Sequence, residues 1–569
     1  MTNNLANRIL IAFLKRRGIH HVVLSSGTRN IPFCNAVETD DYFTCYSVVD
    51  ERNAPFFAMG ICQQLNEPVA LACTSGTAAS NYLTGITEAF YGHIPLVAIT
   101  FDRNMNVLDQ LETQKINQPA IFQPVTKKSV CLPILKDEDD LWHFERLINE
   151  AFIAMEQHGK GPIHLNVPMV GNTNLFYNDA VNTHTEEKIK FIDYISVSEE
   201  AAFREKAEVL AKASRILIVL GQASYYPEGL KKEITDFCKR KGIPVLCDNL
   251  ANFRSDESIS CEAVIKALND ITIQKVLPDI VITMGANFQE RIKDLFKANK
   301  LGFAHWAIDP QGKIKDVFKS QTALFECEPI EFFIRMNKFL DEINVKKDNY
   351  SYLNTWRKLE SAAVLPDMPF TNFYAIGEVS KCIPDGSVVH YSILNATRLG
   401  QFFSLKENTK AYSNVNSFGI DGCLPTFMGQ AYATDKLAFL IIGDLSFFYG
   451  MNAAAIKHRK NNIRIFLVNN GGGAEFHIQP DSNSIPTIDL HIGAAHNRSA
   501  KGWVESMGYE YLTASDKESL SKALDVFVSS DHDKPVVLEV FTDMRTDGEF
   551  TLQVYRALEK NISPVLEKM

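Results

Sequence analysis

The sequence predicts an α/β protein built from three doubly wound parallel-sheet domains. Short apolar runs recur along the chain with helix-compatible stretches between them, and most runs end in a cluster of small or polar residues. A chain of 569 residues is long enough for three or four domains. The expected boundaries are 1–182, 191–340 and 353–569, with polar linkers at 182–190 (NTHTEEKIK) and 341–352.

The first domain opens with a helix to about Arg17, followed by a strand at 21–24 that ends in Ser25-Ser26-Gly27-Thr28-Arg29. Next come Val48-Val49-Asp50-Glu51-Arg52, a helix over 53–65, a strand at 69–73 with the turn 74–79, and a strand at 95–100 ending in Phe101-Asp102-Arg103. In the middle third, runs at 216–220, 244–247, 276–284 and 303–308 read as strands, and Gly221-Gln222 and Gly285-Ala286-Asn287 give it the look of a nucleotide fold. A structural role is the expectation for that domain. The last domain has strands at 388–391, 438–442, 463–468 and 536–541, a helical crossover between the second and third, and a C-terminal helix.

Composition narrows the function. Hydrophobic content of 46% and charged content of 22% are ordinary for a globular protein. A net charge of −10 excludes a general nucleic-acid surface, so an anionic substrate would need a local cluster of arginines. The 11 cysteines form no C-x-x-C pair, which points to core residues in a reducing compartment. The N-terminal amphipathic pattern is interrupted by Arg8, Lys15, Arg16 and Arg17, unlike a signal peptide, and no apolar run approaches the ~20 residues of a membrane span. The expected location is cytoplasmic.

Chemistry concentrates at strand ends, where parallel sheets place their ligands. The 438–442 run ends in Gly443-Asp444, and the 463–468 run in Asn469-Asn470-Gly471-Gly472-Gly473. An acid and an amide at adjacent strand ends offer oxygen to a hard cation such as Mg2+, and the glycines let backbone approach an anion. An ordinary βαβ turn with solvated side chains is the alternative. Glu51, just before a helix, reads as a charge on the helix dipole.

The Gly-Asp and Asn-Asn pairs, with Asp444 and Asn470 26 positions apart, resemble the thiamine diphosphate motif. VDERNAPFFAMG and CTSGTAASNYLTGITEAFYGHIPLVAITFDR are similar to the pyrimidine-binding domain of the menaquinone-pathway 2-succinyl-5-enolpyruvyl-6-hydroxy-3-cyclohexene-1-carboxylate synthases. SSGTRNIPF resembles their Pro-Gly-Ser-Arg-Ser turn, ETQKINQPAIF (112–122) their Asn-Gln loop, and GIDG (419–422) and GDLS (443–446) their C-terminal domain. The resemblance implies pyrimidine-binding, central and diphosphate-binding domains. It also implies thiamine diphosphate with Mg2+, or Mn2+ in its place, and a homodimer or dimer of dimers whose chains share each cofactor.

Residue by residue, the resemblance makes Glu51 the buried carboxyl, its pKa raised by burial, that activates the aminopyrimidine. Asp444, Asn470 and the Gly472 carbonyl become metal ligands, and Ser75, Gly76, Thr77, Ile420, Gly443, Leu445 and Ser446 become cofactor contacts. Arg29, Arg103 and Gln114 fall at substrate positions, mainly on the acceptor side, and Arg291, Arg398 and His477 are further substrate-binding candidates. Interdomain ion pairs are the alternative for the arginines. Departures lie on the donor side: Val415 and Thr397 stand where the family has arginines, Arg398 falls one place late, Phe418 replaces a serine, and Glu475 and His477 fall where the family is largely apolar. The expected activity is decarboxylation of an anionic 2-oxoacid and transfer of its acyl carbanion to an unidentified acceptor. The rivals are the synthase reaction itself, with 2-oxoglutarate and isochorismate, a simple 2-oxoacid decarboxylase, and an inactive cofactor-binding subunit.

Overall fold

The computed structural model describes residues 3–169, 189, 200–288, 290–298, 302–313, 315–344, 350–478 and 480–569. The 182–190 linker lies outside the described residues apart from Ile189, and the 341–352 linker is described only at its two ends. The chain divides into two compact units, one of 1–196, 414–435 and 449–463, the other of 197–413, 436–448 and 464–569.

Each of three sheets has six strands. The first, in the first unit, comprises β1 (His21–Leu24), β2 (Thr44–Ser47), β3 (Val69–Cys73), β4 (Leu96–Arg103), β5 (Lys128–Cys131) and β6 (Ile163–Met169), in the order β2-β1-β3-β4-β6-β5. Its pairs are parallel, with Leu24 beside Ala72 and Cys73 beside Thr100. β3 is buried along its whole length, as a central strand covered on both faces must be, and the edge strand β2 is half exposed. The helix Asn3–Arg16 lays Leu5, Ile9, Leu10 and Phe13 on the core of this sheet, and its basic last turn complements the helix dipole. Burial pushes the His164 imidazole down to about 3, so its neutral ring bridges Thr100 Oγ1 at 2.7 Å and Ser129 Oγ at 2.8 Å.

The helix Asn53–Leu65 is buried on every side through Gln63 and crosses the helix Cys423–Tyr432 closely. A Cβ at Gly60 would come within 2.0 Å of the Thr426 carbonyl, and one at Gly429 within 2.2 Å of the Phe57 carbonyl. Two glycines thus set the separation of the helices that follow Glu51 and the 413–422 loop.

The second unit holds the other two sheets. The central one comprises β7 (Ile216–Leu220), β8 (Val245–Cys247), β9 (Ser258–Ser260), β10 (Ile280–Met284), β11 (Ala304–Ile308) and β12 (Gln321–Phe325), ordered β12-β11-β10-β7-β8-β9. This is the doubly wound dinucleotide order, with its switch point between β7 and β10. The two loops there close on each other: Gln222 N–H donates to the Asn287 carbonyl and Ala286 N–H to the Gln222 carbonyl, while Gln222 Nε2 donates to the Ser413 carbonyl at 2.7 Å. The third sheet comprises β13 (Val388–Tyr391), β14 (Lys410–Tyr412), β15 (Ala438–Gly443), β16 (Ile463–Asn469), β17 (Glu510–Ala514) and β18 (Val536–Phe541), ordered β14-β13-β15-β16-β18-β17. It repeats the topology of the first sheet.

The strands β2, β5, β6, β9, β12, β14 and β17 are not among those expected, and three expected elements take a different form. β10 starts at Ile280 because 272–276 forms a 3-10 turn and Pro278 intervenes. β4 runs on through Arg103. The crossover after β15 is a six-residue helix, Asp444–Tyr449, followed by a 3-10 turn, Met451–Ala455. Among the described residues, no helix is long and apolar enough to cross a membrane.

Candidate functional site

In the second unit, adjacent strands β15 and β16 deliver Asp444 and Asn470 side by side. Asp444 is buried, and its Oδ2 accepts the backbone N–H groups of Asn470 (3.1 Å), Gly471 (2.8 Å) and Gly472 (3.1 Å). Its Oδ1 accepts from Leu445 N at 2.6 Å. Such a nest of amides fixes the orientation of the carboxylate. Gly472 has φ +152°, and a Cβ there would come 2.6 Å from the Gly493 carbonyl and 2.8 Å from Met544 Sδ. At Gly443, by contrast, a Cβ would meet nothing within 4 Å. Buried Ser446 and partly exposed Leu445 continue the helical turn from Asp444.

Asn470 is held at both ends of its amide. Oδ1 accepts from Gly472 N at 3.3 Å, and Nδ2 donates to Asp547 Oδ2 at 3.0 Å. Asp547, fully buried, also accepts from Thr542 Oγ1 (2.7 Å) and Asn372 N (2.8 Å). Burial pushes its carboxyl up to about 6 against those hydrogen bonds. The neighbouring Asn469 donates to Glu539, a second buried acid, at 2.7 Å. His496 Nε2 lies 3.4 Å from Asp444 Oδ2. Among the described residues, no group of three or more His, Cys, Asp or Glu side chains is placed to hold a metal. The oxygens gathered here are instead those of a carboxylate and an amide, a donor set of the kind that suits a hard cation, with open space beside Gly443.

On the other side of this loop, Arg398 Nη1 donates to Glu475 Oε2 at 3.2 Å and Nη2 to Glu290 Oε2 at 3.4 Å. Burial pushes the Glu475 carboxyl up, and Arg398 opposes the shift. Thr397 Oγ1 donates to the Ser392 carbonyl at 2.7 Å and lies 2.9 Å from Ser413 Oγ. Arg291 turns elsewhere, donating to the Leu268 carbonyl at 3.3 Å, so the residue of its helix that meets Arg398 is Glu290. His477 is buried, 2.9 Å from Asp489 Oδ1, in a region where a Cβ on Gly548 would come within 2.5 Å of its own Cβ.

The first unit gathers a second set. Arg29, in the loop after β1, donates from Nη1 to Gln114 Oε1 at 3.1 Å. Arg103, at the end of β4, pairs with Glu112 at 2.7 Å. Between them Lys115 Nζ pairs with Asp102 Oδ2 at 2.8 Å, the two side chains being 1% and 0% exposed. Three cations thus face two carboxylates, a local positive excess in a chain of net charge −10. Burial and the nearby Arg103 lower the pKa of Arg29. Arg29, Arg103 and Gln114 come together, and the buried Asp102–Lys115 pair that anchors them is new to the sequence reading, although both residues lie within the FDR and ETQK strings.

At the end of β3, Ser75 and Gly76 are buried and Thr77 is exposed; Gly76 N donates to Gln118 Oε1 at 3.1 Å, and the buried Ser75 Oγ meets no hydrogen-bond partner among the described residues. Glu51 occupies the turn before the helix Asn53–Leu65 and is partly exposed in the single chain, in contrast to the buried carboxyl that the resemblance implies. Ile420, partly buried, sits in a loop anchored by Glu88. That buried acid accepts from Asn416 N (3.2 Å), Asn416 Nδ2 (3.1 Å), Ser417 N (2.7 Å) and Ser417 Oγ, and burial raises its pKa despite them. The four bonds hold the next residue, Phe418, at φ +61°, a conformation that costs a side-chain-bearing residue about 1–2 kcal/mol.

Comparison with known proteins gives this geometry a context. Residues 5–121 match the family model described as thiamine pyrophosphate enzyme, N-terminal TPP binding domain, and residues 395–540 match its C-terminal TPP binding counterpart. A 2-succinyl-5-enolpyruvyl-6-hydroxy-3-cyclohexene-1-carboxylate synthase of Bacteroides fragilis is 33% identical over 565 residues, covering 97% of this chain and 98% of the relative. The synthase of that name from Phocaeicola vulgatus is 33% identical over 555 residues, with 97% and 98% covered, and that of Flavobacterium psychrophilum 32% over 561, with 96% and 98% covered. With both thiamine-binding domains matched and the relatives covered end to end, the chain belongs to the 2-succinyl-5-enolpyruvyl-6-hydroxy-3-cyclohexene-1-carboxylate synthase family of thiamine diphosphate-dependent enzymes.

Proposed function

We propose that this carboligase-type enzyme decarboxylates a 2-oxoacid and transfers the acyl unit to an acceptor, using Mg2+ with its thiamine diphosphate and a donor pocket altered from the family pattern. The observation that carries the proposal is the oxygen-rich cradle of Asp444, Asn470 and the Gly472 loop beside the open space at Gly443. In this reading Asp444, Asn470 and the Gly472 carbonyl hold the metal, with Mn2+ an acceptable substitute. Gly443, Leu445, Ser446, Ser75, Gly76, Thr77 and Ile420 are the proposed cofactor contacts. When bound, the cofactor supplies the carbon nucleophile and the electron sink that decarboxylation requires. Glu51 holds a proton against the aminopyrimidine ring, and Arg29, Arg103 and Gln114 orient an anionic acceptor through charge-assisted hydrogen bonds.

The domains in this reading are 1–182, 191–340 and 353–569, and the site is completed by a second copy in a homodimer or dimer of dimers, in the cytoplasm. The partial exposure of Glu51 in the single chain supports the need for that second copy.

The donor side supports the altered pocket. Val415 stands in place of an arginine, and Arg398 is already engaged by Glu475 and Glu290. A donor with a distal carboxylate would have to compete with both acids, at a cost of order 1.5–3 kcal/mol for each charge-assisted bond it fails to make. The expected result is that kcat/KM for 2-oxoglutarate does not exceed that for pyruvate, and that Glu475→Gln raises the 2-oxoglutarate value roughly tenfold. A strong preference of the parent enzyme for 2-oxoglutarate, unchanged in the variant, would remove the altered pocket. It would leave the second reading, supported by the full-length similarity to synthases: 2-oxoglutarate as donor and isochorismate as acceptor in the menaquinone route.

A further inference from the structure

We propose that Asp547 is a positioning residue for the metal site, fixing which end of the Asn470 amide is presented to the cation. The proposal rests on the reading of Asn470 as a ligand, and it concerns a residue that neither the sequence motif nor the strand ends single out.

An asparagine amide is nearly symmetric in shape, yet only its oxygen can ligate a hard cation. Some neighbour must therefore break the symmetry. Three donors converge on Asp547: Asn372 N on Oδ1, and Thr542 Oγ1 and Asn470 Nδ2 on Oδ2. A carboxylate surrounded by donors accepts and does not donate, so the amide end facing it must be Nδ2, and Oδ1 is turned to the opposite side, where Gly472 N donates to it at 3.3 Å. Flipping the amide would set oxygen against oxygen at Asp547 and two N–H donors against each other at Gly472. Asp547 itself is fixed by three elements: the first turn of the helix Met544–Glu567, the residue following β18, and the start of the helix Asn372–Cys382. It lies 77 positions after Asn470. Outer residues that orient a ligand in this way typically set metal affinity by 10- to 100-fold.

The test is Mn2+ titration of the full chain in saturating thiamine diphosphate, read by the electron paramagnetic resonance of free Mn2+, which does not depend on turnover. Asp547→Asn keeps the shape and replaces one of the two acceptor oxygens by N–H; the Asn372 N–H holds the remaining oxygen, so the end facing Asn470 becomes a donor, and Mn2+ affinity is expected to fall roughly 10- to 100-fold. In the exchanged pair Asp547→Asn with Asn470→Asp, both ends of residue 470 are oxygen and residue 547 becomes the donor. Affinity is then expected to return to within a few-fold of the parent. The exchanged pair also serves if the single variant fails to fold, since it conserves net charge and the hydrogen bond between residues 470 and 547, with the Thr542 hydroxyl turning from donor to acceptor. Parent-like affinity in Asp547→Asn, or an exchanged pair whose affinity stays 10-fold or more below the parent, would overturn the positioning role alone. If Asn470→Ala binds Mn2+ as the parent does, the ligand reading fails and the inference falls with it.

Discussion

Glu51→Ala is expected to lower turnover by roughly 10²- to 10⁴-fold, the range of a positioned proton-transfer group, while thiamine diphosphate still binds. The two properties are expected to separate because the proposed function assigns them to different parts of the chain. Glu51 lies in the first unit, in the turn before the helix Asn53–Leu65, whereas Asp444, Asn470 and the glycine loop belong to the second. Removing one carboxyl in a partly exposed turn leaves the close crossing at Gly60 and Gly429 untouched, so folding should be unaffected. Turnover and cofactor affinity measured on the same preparation check this. Unchanged turnover would remove Glu51 from the mechanism, and loss of cofactor binding would make it a binding residue.

Lys115→Met should cost about 3–5 kcal/mol of stability, because it strands the Asp102 carboxylate in the interior without its cation. Asn166 Nδ2 at 3.2 Å and Arg103 N at 2.7 Å remain as donors to Asp102, but neither carries charge. Lys115 Nζ also donates to the Arg103 carbonyl at 3.1 Å, so the loop presenting Arg103 should loosen as well. The combined Lys115→Met and Asp102→Asn variant should recover much of the loss, since a neutral pair leaves no buried charge. Thermal and denaturant unfolding of the three proteins decides it; a fully stable Lys115→Met would mean that the pair is solvated.

Much of the architecture was legible because a parallel sheet writes itself as apolar runs: β3, β7, β15 and β16 are buried along almost their whole length and stand out as uninterrupted stretches. Asp444 and Asn470 were equally visible, since each directly follows or caps such a run and one crossover separates them. The second tier was not. Asp547 meets Asn470 across 77 positions and Glu539 meets Asn469 across 70, through packing of helices and strands whose mutual register no local pattern encodes. Arg291 and Glu290 show the finer limit: one step along a helix turns a side chain by about 100°, and that rotation, not the charge, decides which residue reaches Arg398. Glu88 hides for a different reason. A glutamate in a helix reads as solvated surface, and only the fold reveals that four donors from the 416–417 turn enclose it.

Release of carbon dioxide from 2-oxoglutarate and from pyruvate, assayed with Mg2+ and with or without thiamine diphosphate, in the presence and absence of isochorismate, tests the central claim most directly. Release from at least one donor that requires thiamine diphosphate is the expected result, with Glu51→Ala depressing it. Release that is independent of thiamine diphosphate, or its absence from both donors with and without the acceptor in a preparation that binds the cofactor, would contradict it.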